Sequence, residues 1–272
     1  MPQMVYGSER QDVGVKVGAP KHLLQWVLPC PCLACGATVW EPDGSLGLCD
    51  DCRQDLERWP SPACAVCAVP FPTIADEVPV GYRCGPCRRR SPPYEALIST
   101  WCYQPPVDQV LTAFKFRRLD YLGRQLGETM AEIHLSLKED NDVVVPVPLF
   151  WFRRLTRGFN QAHLLAKALA SKWDLPCEEL LVRRRPTLHQ SRLGRGSRLG
   201  NLRRAFRVPR PDACRGRRVL LVDDVTTTGA TAAAASECLR RAGAAEVRVL
   251  TAARPLPEGL SSGELASPGG AR

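Results

Sequence analysis

Apolar residues of the chain follow two patterns, short continuous runs and runs with helical spacing. Continuous runs, each predicted to form a strand, lie at 95–104, 142–148, 219–222 and 246–253. Between the first two runs, apolar residues recur at helical spacing over 120–138, namely at Leu122, Leu126, Met130, Ile133 and Leu137. Further helices are predicted over 107–116, 160–172 and from Gly229 to a stop at Gly243. The alternation predicts an α/β fold with a mainly parallel sheet.

The segment 219–235, VLLVDDVTTTGATAAAA, places two adjacent carboxylates and a loop of small residues after a predicted strand. Ligands of parallel α/β sheets bind at the carboxyl ends of the strands, where this loop would lie. Small residues let backbone N–H groups point at one spot, and the start of a helix favours an anion. The segment therefore predicts a phosphate cradle beside Asp223 and Asp224. A solvated turn with an Asp at the helix N-cap is the simpler alternative.

Two common phosphate-binding motifs are excluded for this loop. It has no Gly-Lys-Ser/Thr, as a Walker loop requires, and it lacks the glycine spacing of a dinucleotide fingerprint. Instead, VLLVDDVTTTGAT resembles the PRPP-binding motif of type I phosphoribosyltransferases. The resemblance implies that the acids bind the ribose hydroxyls of PRPP and that the loop holds its 5′-phosphate. The implied PRPP-binding residues are Asp223, Asp224, Thr226, Thr227, Thr228, Gly229, Ala230 and Thr231.

Cysteines are concentrated near the N-terminus, where nine of the thirteen lie between Cys30 and Cys87. Eight of them form CxxC pairs, in which two thiolates can face one tetrahedral metal ion. These predicted ligands of two structural zinc ions are Cys32, Cys35, Cys49, Cys52, Cys64, Cys67, Cys84 and Cys87. Two sequential sites are favoured over a cross-brace that joins the first pair with the third. Disulfides are the alternative, but they belong to small secreted domains, and no secretion signal is visible.

The net charge of +9 is concentrated in one segment. Thirteen arginines and a single acid, Asp212, lie between Arg183 and Arg218. Such a cluster suits a polyanion, either diphosphate or nucleic acid. No apolar stretch is long enough to span a membrane, so a cytoplasmic protein without a membrane partner is expected.

The CxxC pairs, the FKF segment at 114–116, VPVP, RGFNQA and the acidic motif together resemble the ComF-like competence protein family, which also includes GntX-like proteins. The resemblance implies a type I phosphoribosyltransferase fold preceded by a small zinc-ribbon module. In type I phosphoribosyltransferases the loop after the first core strand binds pyrophosphate, so the loop after 142–148 is expected to bind it through Arg153, Arg154 and Arg157. Lys115 is predicted to join them, although its role does not follow from the resemblance. The guanidinium fork matches the oxygens of a diphosphate, although a solvated basic turn is an equal alternative on the residues alone.

The predicted organisation has four parts. Residues 1–20 and 255–272 lack periodicity or are rich in Pro, Gly and Ser, and both are expected to be disordered. A double zinc-ribbon module is predicted over 21–91 and a phosphoribosyltransferase-like domain over 92–254. Within that domain, the arginine-rich stretch 183–206 is either a linker or, as the resemblance implies from its position, a mobile loop that closes over PRPP.

Three functions remain open on the sequence alone. The first is an enzyme that binds PRPP with Mg²⁺ and transfers its phosphoribosyl group to an unknown acceptor, in association with DNA uptake. The second is a non-catalytic sensor of PRPP or a phosphoribosyl nucleotide that also binds single-stranded DNA or a DNA-uptake helicase. Purine-salvage enzymes use an Asp where this chain has Thr227, and a threonine cannot act as a general base near neutral pH. The third, a nucleic-acid-binding zinc protein alone, leaves the motif at 219–231 unexplained.

Overall fold

Two small cysteine-rich lobes precede the larger part of the chain. The computed structural model describes residues 30–40, 44–71, 78–117, 119–149, 158–184, 205–257 and 259–260. In the first lobe, β1 (Cys30–Pro31) pairs antiparallel with β2 (Thr38–Val39), and α1 (Asp50–Gln54) follows. The second lobe ends in α2 (Gly85–Arg89), which starts directly after Cys84. Each helix thus begins at the second CxxC pair of its lobe.

A four-stranded parallel sheet forms the centre of the larger part. Its strands are β3 (Ala96–Cys102), β4 (Val143–Pro146), β7 (Arg218–Val225) and β8 (Glu246–Arg254), in the order β3-β8-β7-β4. Short antiparallel strands β5 (Val182–Arg183) and β6 (Phe206–Arg207) lie outside this sheet. The four predicted strands are confirmed. The predicted strand at 219–222 extends to Val225, so Asp223 and Asp224 belong to the strand itself.

Helices cover both faces of the sheet, as the buried apolar runs require. They are α3 (Val107–Phe116), α4 (Tyr121–Ile133), α5 (Gln161–Trp173) and α6 (Ala230–Arg241). Alternate residues of β7 point to opposite faces. Leu220 and Val222 share a core with α3, α4 and α5, while Val219 and Leu221 share the other core with α6.

The single helix expected over 120–138 is wrong in its last turn. Leu122, Leu126 and Met130 are buried as the spacing predicts, but α4 ends at Ile133. His134 leaves helical geometry with φ −112° and ψ 33°, and a short 3₁₀ turn follows at Leu135–Leu137. His134 Nε2 lies 3.2 Å from Thr100 Oγ1 in β3, a tertiary contact that the local spacing could not indicate.

Several sequence-based expectations fall outside the described residues. These include the segment 1–20, most of 255–272 and most of the arginine-rich stretch. Within the part of the chain that is described, no helix combines the length and apolar character needed to cross a membrane.

Candidate ligand site and metal centres

Two carboxylates and one amine meet at the carboxyl end of β7. Lys115 Nζ, on α3, lies 3.0 Å from Asp224 Oδ2, and the two side chains are only 16% and 18% exposed. Asp223 Oδ1 accepts a hydrogen bond of 2.9 Å from the backbone N–H of Asp224. Lys115, predicted to bind pyrophosphate, therefore contacts one member of the acid pair directly.

The charge of this cluster is unbalanced. Burial raises the pKa of Asp223 well above its ordinary value, and the neighbouring charge of Asp224 raises that pKa further. The positive charge of Lys115 opposes the rise. Among the described residues, Lys115 is the one amine beside the two acids when both are ionised. Hydrogen bonds donated by ligand hydroxyl groups, or a bound cation, would therefore lower the electrostatic cost.

The Thr/Gly loop joins β7 to α6 beside the acids. Gly229 is the N-cap of α6 and has φ 74°, a left-handed conformation that favours glycine. A Cβ placed on Gly229 would lie 3.3 Å from Tyr94 Oη, so the loop also has little space for a side chain at this point. Thr227 and Thr228 are exposed at the tip of the loop. Small size and exposure of this kind suit a loop that cradles an anion at the start of a helix.

One residue of the predicted cradle is engaged within the protein. Thr226 is 4% exposed, and its backbone N–H donates to the carbonyl of Ala253 at 3.1 Å. That N–H is therefore already satisfied. The backbone N–H of Ala230, later in the loop, donates to Thr228 Oγ1 at 3.4 Å, so a ligand at this point would replace that contact.

Arg254 is the site residue that the sequence pattern missed. It ends β8, is only 9% exposed, and donates from Nε to the carbonyl of Thr227 at 3.2 Å. Nη1 of Arg254 donates to the carbonyl of Cys67. An arginine at the end of a buried apolar run was the available signal, since a buried charge requires partners.

The predicted pyrophosphate loop is only partly described. Arg153, Arg154 and Arg157 lie outside the described residues. Just after them, Asn160 Nδ2 donates to the carbonyl of Val147 at 3.1 Å, which attaches the start of α5 to the end of β4.

The eight predicted zinc ligands form two tetrads. Within each tetrad the sulfur atoms lie within 4.8 Å of one another, and the members are Cys32, Cys35, Cys49 and Cys52 in the first and Cys64, Cys67, Cys84 and Cys87 in the second. The sequential pairing is confirmed over the cross-brace. All thirteen cysteines are among the described residues, and none forms a disulfide there.

The tetrads fit tetrahedral zinc. Sulfur atoms about 2.3 Å from a common zinc lie roughly 3.8 Å apart, and the Sγ atoms of Cys67 and Cys84 are 3.6 Å apart. Burial raises the pKa of Cys64, but hydrogen bonds from backbone N–H groups outweigh it and lower that pKa to about 6. The same balance lowers the pKa of Cys32 to about 6. These two shifts favour the thiolate form that binds metal, whereas burial raises the pKa of Cys67, in the second tetrad, to about 11.

The structure combines a parallel sheet, an acid pair and a Thr/Gly loop with two preceding cysteine tetrads. This combination defines a phosphoribosyltransferase-fold protein with a double zinc ribbon. Family models agree with this class. The model described as "Double zinc ribbon domain" matches residues 23–88, and the model described as "Phosphoribosyl transferase domain" matches residues 119–259. The chain belongs to the ComF-like competence protein family.

Curated relatives match over most of their length. DNA utilization protein YhgH of Escherichia coli (strain K12) is 34% identical over 78% of this chain and 92% of that protein. Competence protein F of Haemophilus influenzae is 31% identical over 76% of this chain and 90% of the relative. Competence protein ComFC of Bacillus subtilis (strain 168) is 30% identical over 73% of this chain and 80% of the relative.

Proposed function

We propose that the chain binds PRPP with Mg²⁺ at the carboxyl edge of its sheet and transfers the phosphoribosyl group to an acceptor. The observation that carries the proposal is the acid pair with Lys115 beside a loop built for an anion. Asp223 and Asp224 accept hydrogen bonds from the ribose hydroxyls, and the loop from Thr227 to Thr231 donates to the 5′-phosphate. Bound Mg²⁺ supplies charge neutralisation to the phosphate oxygens.

Transfer breaks the bond between the anomeric carbon and the pyrophosphate oxygen, and the electron pair leaves with pyrophosphate. A nucleophilic atom of the acceptor bonds to that carbon, and its proton passes to water or to the departing pyrophosphate. Arg153, Arg154 and Arg157, with Lys115, stabilise the leaving group in this proposal, because fixed positive charges act most strongly where negative charge develops. Lys115 Nζ lies 3.0 Å from Asp224 Oδ2, and this contact supports a starting position of its amine near the ribose, from which it would act on the pyrophosphate.

A PRPP sensor without catalysis is the second candidate. The exposed Thr227 occupies the position at which purine-salvage enzymes have an acidic residue, and it cannot serve as a general base. Isothermal titration with PRPP, with and without Mg²⁺, tests the binding common to both candidates, and we expect Mg²⁺-dependent heat. Pyrophosphate release in the presence of candidate acceptors separates them. Absence of PRPP binding by folded protein would refute both.

We also propose that each tetrad holds one structural zinc ion. The family model and the sulfur geometry support this proposal. Thiolates that bind zinc persist in a reducing compartment, so the protein is proposed to work in the cytoplasm.

A role in DNA handling is proposed from the relatives and the charge distribution. The relatives carry the names "DNA utilization protein" and "Competence protein F". Here the arginines between Arg183 and Arg218 would contact single-stranded DNA, or a DNA-uptake helicase would be the partner. Phosphate contacts make DNA affinity fall steeply with salt. Filter binding of single-stranded DNA at increasing salt checks this, and a salt-independent affinity would contradict it.

A further inference from the structure

Arg254 connects the phosphate loop to the second cysteine tetrad. Its guanidinium donates to the carbonyl of Thr227 on one side and to the carbonyl of Cys67 on the other. The ring of Trp59 lies 5.5 Å from the guanidinium carbon, within the range of a cation–π contact. Because Arg254 is only 9% exposed, loss of either carbonyl would leave a largely buried donor without its partner. The position of Thr227 therefore depends on the position of Cys67.

Other contacts of the second lobe involve residues that surround the same loop. The backbone N–H of Leu97 donates to the carbonyl of Val66, inside the first CxxC pair of that lobe, at 2.8 Å. A Cβ placed on Gly229 would lie 3.6 Å from Leu97 Cδ1. Trp59, which faces Arg254, donates from Nε1 to the carbonyl of Ala68 at 2.7 Å. The two hydrogen bonds connect Val66 and Ala68, the neighbours of Cys67, to residues that surround the loop.

The first tetrad has a different neighbourhood. Leu46 N donates to Gln125 Oε1, on α4, at 3.1 Å. Cys32 shares its core with the helices α3, α4 and α5, whereas Cys64 and Cys87 share theirs with Ala232 and Ala235 of α6. Only the second tetrad therefore packs in the core of the helix that follows the phosphate loop.

We propose that Arg254 is a positioning residue that transmits the metal-bound geometry of the second tetrad to the phosphate loop. Among the described residues, no corresponding side chain hydrogen-bonds both the first tetrad and this loop. This inference rests on the proposed function for its ligand. Zinc bound at the second tetrad would fix the position of Cys67. The carbonyl of Cys67 accepts a hydrogen bond from Arg254, and Arg254 in turn donates to the carbonyl of Thr227. Binding of phosphate at the loop and retention of zinc at the second tetrad are then linked, and linkage acts equally in both directions.

The first test uses ribose 5-phosphate as the probe and Arg254→Met as the variant. Arg248→Met is the matched control, because Arg248 lies on the same strand and contacts Asp140 and Glu246 instead. Loss of a charge-assisted hydrogen bond to the loop predicts about tenfold weaker binding for Arg254→Met and less than about twofold for the control. Both variants should retain zinc. Equal affinities in the two folded variants would overturn the proposal.

The second test measures how fast zinc is lost from each tetrad. Chelator extraction of zinc from the wild type should become slower for one of the two ions when ribose 5-phosphate is added, and Arg254→Met should abolish this protection. Cys35→Ser, in the first tetrad, should keep the protected ion, whereas Cys84→Ser should lose it. Protection of both ions, or of the first tetrad alone, would contradict the assignment.

A ligand-free measurement separates this inference from the proposed function. Amide hydrogen exchange at 226–231 should rise in Arg254→Met and after extraction of the second zinc, but not in Arg248→Met. If the wild type binds neither PRPP nor ribose 5-phosphate, the proposed function fails and the exchange data still decide whether the connection exists. Unchanged exchange in Arg254→Met would refute it.

Discussion

Asp223 is the residue at which binding and stability conflict most clearly. Burial and the charge of Asp224 raise the pKa of Asp223, so the ionised form destabilises the ligand-free protein. Stabilisation from the protonated form is complete below the unfolded pKa of about 3.9 and is lost as pH rises through the raised pKa.

Asp223→Asn should therefore stabilise the protein without ligand. The amide oxygen can still accept the hydrogen bond from the N–H of Asp224, and the like-charge repulsion is removed. We expect a gain on the order of 1 kcal/mol at pH 7 that shrinks towards pH 4. Thermal unfolding across this pH range measures it. If Asp223 only capped a turn, the substitution would lower the melting temperature instead.

His134 should give the opposite dependence on pH. Burial lowers the pKa of His134 to about 4, and the charge of Arg58 contributes. Stability from the neutral imidazole is present above the unfolded pKa of about 6.5 and is lost as pH falls towards 4. The wild type should lose on the order of 2 kcal/mol over this window, and His134→Gln should lose less. Urea unfolding at several pH values tests this, and parallel curves for both proteins would contradict it.

The residues of the site differ in how well the sequence alone predicts them. The acid pair and Gly229 were found because local order encodes them, and the structure places them together. The partners of Arg254 could not be found in this way, because Cys67 lies 187 positions away. Lys115 was selected, but its contact with Asp224 depends on how α3 packs against the sheet.

At the level of elements, the apolar patterns predicted whether a segment is a helix or a strand better than they predicted where it ends. Strand β7 extends past its apolar run, because its ladder with β8 continues through Asp223 and Val225. Helix α4 ends earlier than its apolar spacing suggests, because His134 contacts β3. Both boundaries depend on hydrogen bonds to other elements, which periodicity along one segment does not record.

The contact between α4 and α5 depends on a glycine. A Cβ on Gly127 would lie 2.6 Å from the carbonyl oxygen of Leu165 and 2.7 Å from the Cβ of Ala168, so the helices would have to separate. Gly127→Ala should destabilise the protein by about 1–3 kcal/mol, although alanine favours helix by about 1 kcal/mol. Glu128→Ala, one position along, is the control and should change stability by less than about 1 kcal/mol. Denaturant unfolding decides, and a stabilised Gly127→Ala would refute this packing.

Over the whole molecule, the cysteines connect the small lobes to both faces of the sheet. The first tetrad packs with one core and the second with the other, so each lobe stabilises a different side of the phosphoribosyltransferase fold. The CxxC spacing predicted the ligands, and the tetrad geometry decided the pairing.

We expect two zinc ions per chain, one for each tetrad. Elemental analysis of protein purified without chelator measures this number. Cys35→Ser and Cys84→Ser should each reduce it by one, because the two sites share no ligand. A folded, metal-free protein would rule out the zinc assignment.

The most direct test of the central claim is calorimetric binding of PRPP–Mg²⁺ and of inorganic phosphate to the wild type, Asp223→Asn and Gly229→Val. Charge-assisted hydrogen bonds to the ribose are worth about 1.5–3 kcal/mol, so Asp223→Asn should weaken PRPP by about tenfold or more. It should leave phosphate binding unchanged. Gly229→Val should abolish both, because its φ of 74° and the nearby Tyr94 oppose a branched side chain. Equal PRPP affinity in all three folded proteins would contradict a phosphoribosyl site at this edge of the sheet.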